Sequence, residues 1–251
     1  MSEAIIAEPV LIGGGNGDQI EAYLARPLGD AEVGGVVVIH HLPGYDRATR
    51  EITRRFATLG YNAICLNLYL REGLGVSPDD AAAAVRARGG LPDDQLVGDV
   101  DAAARHLRSL PGSTGRVAVI GYCSGGRQAL LAACRLPLDA AIDCYGAFVV
   151  SSPPDSVGLK SRPIVDLIGD LSCPLLGLFG ADDSRPTPAE TAELEKVLKE
   201  HGKEYEFHTY EGAAHAFFAV DRPAYRPEAA GDGWRRIESF LGRHLATGGA
   251  G

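Results

Sequence analysis

The sequence has few of the features that mark secreted proteins, membrane proteins and structural metal sites. Its five cysteines are an odd number without a CxxC pair or a short Cys/His spacing, which argues against a disulfide framework and a zinc site. No stretch has the roughly 18 uninterrupted apolar residues of a membrane span, and the N-terminus lacks the basic and apolar regions of a signal peptide. We therefore expect a cytoplasmic protein that contacts no membrane.

Positive charge is also scarce. Lys and Arg number 24 against 33 Asp and Glu, and the two signs are interspersed along the chain. Such a surface does not attract a phosphate backbone, so we expect no nucleic-acid partner. The 251 residues, 45% of them hydrophobic, suffice for a large core, and α/β chains of this length often form one unit. We expect a single domain over residues 1–251.

Strand-like and helix-like segments alternate along the chain, which is typical of an α/β fold with a mostly parallel central sheet and helices on both faces. The segments EPVLI and QIEAYLARP flank the turn-rich GGGNGD, so we expect an N-terminal antiparallel hairpin at the sheet edge. The later predicted strands are GGVVVIHHL, YNAICLNLYL, RVAVIGYC, DAAIDCYG, PLLGLFG and YEFHTYEG. The predicted helices are DRATREITRRFATLG, residues 78–90 and 93–110, SGGRQALLAACRL, TPAETAELEKVLKEHG and GDGWRRIESFLGRHL.

The segment GYCSGG stands where the strand RVAVIGYC gives way to a helix. A nucleophile is most usable on a sharp turn at this edge of a parallel sheet, and small residues two before and two after it relieve the crowding of the backbone. Gly121 and Gly125 stand at those offsets from Cys123. Ser124 is a competing nucleophile, but a pattern centred on it needs a small residue at Tyr122. We therefore favour Cys123.

An elbow cysteine gains from a histidine base that is oriented by a carboxylate, and in this kind of fold the acid and then the histidine follow the nucleophile. FGADDSRPTP supplies Asp182 and Asp183 just after one strand, and EGAAHAFF supplies His215 just after the last strand. We favour Asp183 over Asp182. Four other histidines are predicted to be packing or surface residues. His208 lies inside the last predicted strand, and the rest lie on charged helices: His106, His201 and His244.

At these positions the sequence resembles the dienelactone hydrolase family, a cysteine-using branch of the α/β-hydrolases. The matching segments are GYCSGG, LFGADDSRPTPAE, KEYEFHTYEGAAHAFF and LNLYLRE, and the resemblance covers nearly the whole chain. It implies an α/β-hydrolase fold and a triad of Cys123, His215 and Asp183 that hydrolyses esters or lactones through an acyl-enzyme. It also implies that neither a metal nor an organic cofactor takes part.

Two backbone N–H groups are needed to hold the oxyanion that develops during acyl transfer. We expect them from Ser124, at the start of the helix after the elbow, and from Leu42, in the loop after the HHL strand. The family's namesake enzymes carry a glutamate beside this loop, where the present chain has His41. His41 is therefore expected either to assist proton transfer or to shape the substrate pocket.

The resemblance also implies a clamp of two arginines for a substrate carboxylate. Arg71 in YLR matches the first, and a guanidinium suits a carboxylate well. The position of the second holds Ala219, although Arg222 or Arg226 could reach in from the same loop. A dienelactone acid is accordingly one candidate substrate, and a neutral ester is another.

Apolar and aromatic residues near the candidate site favour a hydrophobic ester: Leu42, Pro43, Tyr145, Phe217 and Phe218. The poorly assignable stretch 150–172 is a long loop that could form part of a substrate mouth. We expect a small-molecule ester or lactone as partner and a monomer or a homodimer. The alternatives are an acyl transferase or thioesterase with the same triad, or a ligand-binding protein on a hydrolase scaffold.

Overall fold

The computed structural model describes residues 4–73 and 75–246 and contains an eight-stranded sheet in the order β1-β2-β4-β3-β5-β6-β7-β8. The strands are β1 (Ile5–Gly13), β2 (Gln19–Pro27), β3 (Val33–Ile39), β4 (Asn62–Leu66), β5 (Ser113–Tyr122), β6 (Ala140–Cys144), β7 (Leu175–Gly180) and β8 (Tyr205–Tyr210). The helices are α1 (Arg47–Thr58), α2 (Pro78–Ala87), α3 (Asp93–Ser109), α4 (Ser124–Arg135), α5 (Pro188–Glu200) and α6 (Pro227–Leu245).

The strands from β3 to β8 pair in parallel, whereas β1 and β2 form an antiparallel hairpin that joins the sheet by antiparallel pairing of β2 with β4. This is the α/β-hydrolase fold, and it confirms the predicted hairpin and the predicted parallel sheet. None of the described helices is long and apolar enough to cross a membrane.

Alternate residues of the central strands feed two separate cores. On β3, Val36 and Val38 pack with the aromatic residues of α1 and α6, among them Phe56 and Trp234. Val37 and Ile39 face the opposite side, where α3, α4 and α5 pack. Since successive side chains of a strand point to opposite faces, a continuous apolar run is what a strand covered on both sides requires.

Because β3, β5, β7 and β8 run in the same direction, their carboxyl ends lie along one edge of the sheet. Ile39 at the end of β3 is the register partner of Gly121 near the end of β5. Gly180 at the end of β7 pairs in the same way with Tyr210 at the end of β8. This edge therefore collects the loops that follow four strands, as the placement of the candidate residues requires.

Several element boundaries differ from the sequence prediction, and three of them lie next to the candidate site or at the last helix. The strand predicted as YNAICLNLYL ends at Leu66, because the chain turns there and Leu70–Glu72 forms a single 3₁₀ turn. The strand predicted to close on His40 and His41 ends at Ile39. The last helix begins earlier than predicted, at Pro227, whose fixed φ angle and missing N–H suit a first helical turn.

Candidate active site

Cys123 occupies a strained turn between β5 and α4. Its φ and ψ angles are 58° and −123°, a region that residues with a side chain rarely adopt. A Cβ atom at Gly121 would lie 1.8 Å from the carbonyl oxygen of Gly125, and one at Gly125 would lie 2.6 Å from that of Ile39. The two glycines are therefore the residues that permit the turn, and the partly exposed thiol stands at its apex.

His215 lies in the loop after β8, between Cys123 and an acid from the loop after β7. Its Nδ1 atom is 2.9 Å from Oδ2 of Asp183, and because an ionised carboxylate only accepts hydrogen bonds, the Nδ1–H donates. The other oxygen of Asp183 accepts from the backbone N–H of Arg185 at 2.8 Å. Asp182 is exposed and does not contact the ring; its backbone N–H donates to Ala213.

The surroundings of His215 favour its charged form. Burial by itself lowers the pKa of the imidazole, but the hydrogen bond to Asp183 and the nearby Cys123 sulfur outweigh it and raise the pKa to about 10. An imidazolium next to a thiol stabilises the thiolate, which is the nucleophilic form of cysteine. The geometry therefore brings together the thiol, the imidazole and the carboxylate that the sequence predicted to act as nucleophile, proton carrier and orienting acid.

The backbone near the thiol provides two N–H groups suited to a negative oxygen. Ser124 is the first residue of α4, so its N–H belongs to the unpaired donors of a helix N-terminus. Leu42 lies in the loop after β3, and both residues line the space in front of Cys123. Within the described residues neither N–H has a backbone acceptor. The side-chain hydroxyl of Ser124 is buried, which does not favour it as the nucleophile.

Two cavities open on either side of Cys123. The first, of about 330 Å³, is called the loop cavity here, because Val157, Leu159 and Ser161 of the long loop form part of its wall. Its polar lining includes Arg86 from α2 and Arg185 next to Asp183. The loop predicted to shape a substrate mouth therefore does border the candidate site.

The second cavity, of about 220 Å³, is called the aromatic cavity because Tyr122, Tyr145, Phe218 and Trp234 line it. His41, Ala219 and Arg222 also belong to its lining. Cys123, His215 and Leu42 are common to both cavities. The reactive groups therefore lie at the junction of two separate spaces.

The structure does not place Arg71 where a substrate carboxylate could be clamped. Its guanidinium makes paired hydrogen bonds of 2.7–2.9 Å with Asp18 and with Asp99, and it is not among the residues that line either cavity. Two carboxylates already satisfy its donors, one of them fully buried. The predicted role of Arg71 as a clamp for a substrate carboxylate is therefore corrected to that of an ion-pair partner of Asp18 and Asp99.

The remaining predicted pocket residues divide between the cavities and the core. Tyr145 and Phe218 line the aromatic cavity, whereas Phe217 is fully buried behind them and lines neither cavity, so its predicted role is corrected to packing. Arg222 lines the aromatic cavity and donates to the carbonyl of Leu42 at 3.1 Å. Arg226 bonds only backbone carbonyls and stays outside both cavities.

His41 lies at the edge of the aromatic cavity and is held by an acid of its own. Its Nε2 atom is 3.3 Å from Oδ2 of Asp46, which also caps the first turn of α1 by accepting from Thr49. His41 thus shapes the wall of the cavity beside Cys123, and its ring is fixed by a carboxylate.

Sequence reasoning missed several residues that line the two cavities. Arg185 follows Asp183 by two positions, so its place near the site could have been inferred from the loop itself. Arg86 on α2 and Trp234 on α6 carry no such signal, because each reaches the site only through the packing of its helix.

In the described part of the chain no three His, Cys, Asp or Glu residues are arranged to hold a metal ion.

Comparison with known proteins gives a consistent family assignment. The model of the dienelactone hydrolase family matches residues 20–245. A Salmonella typhimurium protein named "Putative carboxymethylenebutenolidase" is 35% identical over 235 residues, which cover 91% of this chain and 84% of that protein. A Bradyrhizobium protein named "Probable 2-oxo-3-(5-oxofuran-2-ylidene)propanoate lactonase" is 31% identical, with 92% of each chain covered.

The fold agrees with these relatives. The crystal structure titled as a "Putative Dienelactone Hydrolase" from Klebsiella pneumoniae matches with a TM-score of 0.84 and 32% identity, covering 96% of this chain and 99% of the other. Sequence and fold thus agree, and the chain belongs to the dienelactone hydrolase family, as an ester or lactone hydrolase with the α/β-hydrolase fold.

Proposed function

We propose that the protein hydrolyses small carboxylic esters or lactones by covalent catalysis, with Cys123 as nucleophile, His215 as proton carrier and Asp183 as the acid that orients His215. The observation that carries this proposal is that one imidazole is held by Asp183 and borders the same two cavities as the Cys123 thiol. Its Nδ1 atom is 2.9 Å from Oδ2 of Asp183, and Cys123 and His215 both line each cavity. A buried carboxylate beyond a histidine is the arrangement that fixes the tautomer for acyl transfer.

In the first half of the reaction, the Cys123 thiolate attacks the carbonyl carbon and forms a C–S bond. The carbonyl oxygen becomes negative and accepts from the N–H groups of Leu42 and Ser124. As the C–O bond to the alcohol breaks, the His215 imidazolium gives its proton to the departing oxygen. The product of this half is a thioester and, for a lactone, the alcohol remains attached to the acyl group.

In the second half, water attacks the thioester carbon. His215, now neutral, takes a proton from this water, and the same backbone donors hold the second oxyanion. The C–S bond then breaks, which releases the carboxylic acid and restores the thiolate beside the imidazolium. Because the cycle needs a free thiol at residue 123, it suits a reducing compartment such as the cytoplasm.

The relatives support lactones as one substrate class. Their names specify a carboxymethylenebutenolidase and a lactonase. In the present chain the loop cavity carries two guanidinium groups, those of Arg86 and Arg185, that make no ion pair with any residue of the described chain. An anionic lactone would therefore meet positive charge in this cavity even though Arg71 is engaged elsewhere.

The test is hydrolysis of p-nitrophenyl acetate and of a dienelactone under reducing conditions, by the native protein and by Cys123→Ala and His215→Ala. We expect each substitution to lower kcat/KM by about 10⁴-fold or more, since members of such a unit fail together. Mass spectrometry of a quenched reaction should show the acyl group on the peptide that contains Cys123.

A matched control is Cys144→Ala, which removes a fully buried thiol of the neighbouring strand. Full activity of Cys123→Ala would overturn the assignment and direct attention to Ser124. Absence of any turnover by the native protein, together with unchanged binding of an ester analogue in the variants, would favour a ligand-binding protein.

A further inference from the structure

The two cavities beside Cys123 differ in the chemistry of their walls. The loop cavity combines apolar residues with polar ones, among them Gln128, Ser161 and Arg185. The aromatic cavity is enclosed by rings that also pack on one another: Tyr122 and Phe218 meet edge to face with centroids 5.7 Å apart, and Phe218 and Trp234 do so at 6.1 Å. Rings fixed in this way form a cavity before any ligand arrives.

The charged groups that border the aromatic cavity are of both signs and make different contacts with the protein. The Arg55 guanidinium lies over the Trp234 ring at 3.9 Å, Arg222 donates to the carbonyl of Leu42, and Glu51 pairs with Arg54. Asp221 is exposed at the cavity and has no ion pair among the described residues. Charges of both signs therefore border this cavity, and it is the aromatic walls that favour an apolar group inside it.

The size of the aromatic cavity suits one flat ring or a short alkyl chain. An apolar cavity of about 150 Å³ is known to hold benzene, and this cavity measures about 220 Å³. Ala219 lines it with a single methyl group, so a larger residue at that position would reduce the space. His41, fixed by Asp46, forms another part of the boundary.

We propose that the aromatic cavity is a second substrate subsite, which takes an uncharged aromatic or short alkyl limb of an ester while the other limb lies in the loop cavity. This inference rests on the proposed function, because it places the scissile carbonyl at the junction formed by Cys123, His215 and Leu42. The substrate is then an ester with two distinct limbs on either side of its carbonyl. One limb is apolar and flat, and the other is small or polar.

The experiment compares three esters: methyl acetate, phenyl acetate with its ring on the alcohol, and methyl benzoate with its ring on the acyl group. Ala219→Phe and Ile52→Trp both place a larger side chain in the aromatic cavity, the first from the loop after β8 and the second from α1. Each should lower kcat/KM for one of the aromatic esters by about 10- to 100-fold relative to its effect on methyl acetate, which is the worth of one buried ring. Comparing variant with native for each ester cancels the intrinsic reactivities of the three esters.

The matched variant is Ser161→Phe, which places the same side chain in the loop cavity. For the ester that is sensitive to Ala219→Phe, this variant should change the rate no more than it changes that of methyl acetate. Equal losses on all three esters in both aromatic-cavity variants, or no losses, would overturn the second subsite. Thermal unfolding of each variant verifies that it is folded.

The outcome also separates this inference from the proposed function. If the native protein hydrolyses none of the esters, the proposed function itself fails. If it hydrolyses them through Cys123 and the aromatic-cavity variants do not discriminate among them, only the second subsite is wrong.

Discussion

In two polar clusters of this protein a nitrogen-bearing side chain binds aspartate, but the two clusters differ in what they leave free. In one, His215 shares its ring between Asp183 and the partly exposed thiol of Cys123, which opens on two cavities. In the other, Arg71 is bound on both sides by Asp18 and Asp99, and its side chain is only 19% exposed. The first cluster leaves a reactive atom free for a substrate, whereas the second satisfies its own charges.

The difference shows why a residue that matches a family motif in sequence does not by itself have the function that the motif implies. The triad positions depend on strand ends that a parallel sheet brings together, so their relation follows from the order of the elements. A substrate clamp depends instead on whether nearby carboxylates compete for the guanidinium. Asp18 and Asp99 are far from Arg71 in sequence, and both bind it.

After the losses expected for Cys123→Ala and His215→Ala, the next largest effect is expected from Asp183→Asn, which should lower kcat/KM by about 10³- to 10⁴-fold because the imidazole loses its orienting charge. Removing that charge takes away one of the two influences that raise the pKa of His215, so this pKa should fall from about 10. NMR titration of the His215 ring measures this shift. Asp182→Asn, at the exposed neighbouring position, is the control and should behave as native.

The raised pKa of His215 also predicts how the effect of Asp183→Asn on the free energy of unfolding depends on pH. A histidine whose pKa is raised by folding stabilises the native state fully below its ordinary pKa of about 6.5, and this contribution disappears as pH rises through about 10. The difference in unfolding free energy between native protein and Asp183→Asn should therefore be larger at pH 6 than at pH 10. Urea denaturation at the two pH values measures it, and a difference that grows with pH would contradict the charged imidazole.

A smaller effect, on stability and not on selectivity, is expected from Arg71→Ala. It leaves the fully buried carboxylate of Asp99 without its main partner, and the loss of one member of such a pair costs about 3 kcal/mol in unfolding free energy. Urea denaturation should show this cost. The ratio of rates on anionic and neutral esters should stay at the native value.

The control for Arg71 is Arg105→Ala, which breaks an exposed pair with Asp101 on α3 and should cost less than about 0.5 kcal/mol. If Arg71→Ala lowers the rate only on anionic esters, Arg71 does bind the substrate carboxylate. The proposed difference between the two clusters would then be wrong.

The smallest effect is expected from Arg86→Ala and Arg185→Ala in the loop cavity. Both guanidinium groups are exposed, so each should contribute about 1 kcal/mol or less to an anionic substrate. We expect kcat/KM for an anionic ester to fall about 3- to 5-fold in each variant, less at high salt, with neutral esters unaffected. Arg88→Ala, which lies nearby and pairs with Glu72, is the control; an equal loss in it would indicate a general field effect.

Much of the fold was accessible from the sequence because its signals are local. The apolar run of β3, the glycines around Cys123 and the Pro and Gly residues at helix ends each act within a few residues. One boundary was wrong because the segment after Leu66 keeps the apolar pattern of a strand but turns, with the Leu70 N–H donating to the carbonyl of Asn67. Phe217 was misplaced because its burial depends on packing against the rings of Tyr145 and Tyr210, which its own segment does not reveal.

The sequence by itself determined the order of strands and helices, the strained turn at Cys123 and the candidate acid and histidine, because these follow from local backbone chemistry and from the direction of parallel strands. Only the tertiary structure decided that Asp183 and not Asp182 holds His215, that Arg71 is satisfied by Asp18 and Asp99, and that the thiol opens on two cavities. The physical reason is that hydrogen bonds, ion pairs and cavity walls depend on side chains brought together from distant segments, whose distances no local pattern specifies.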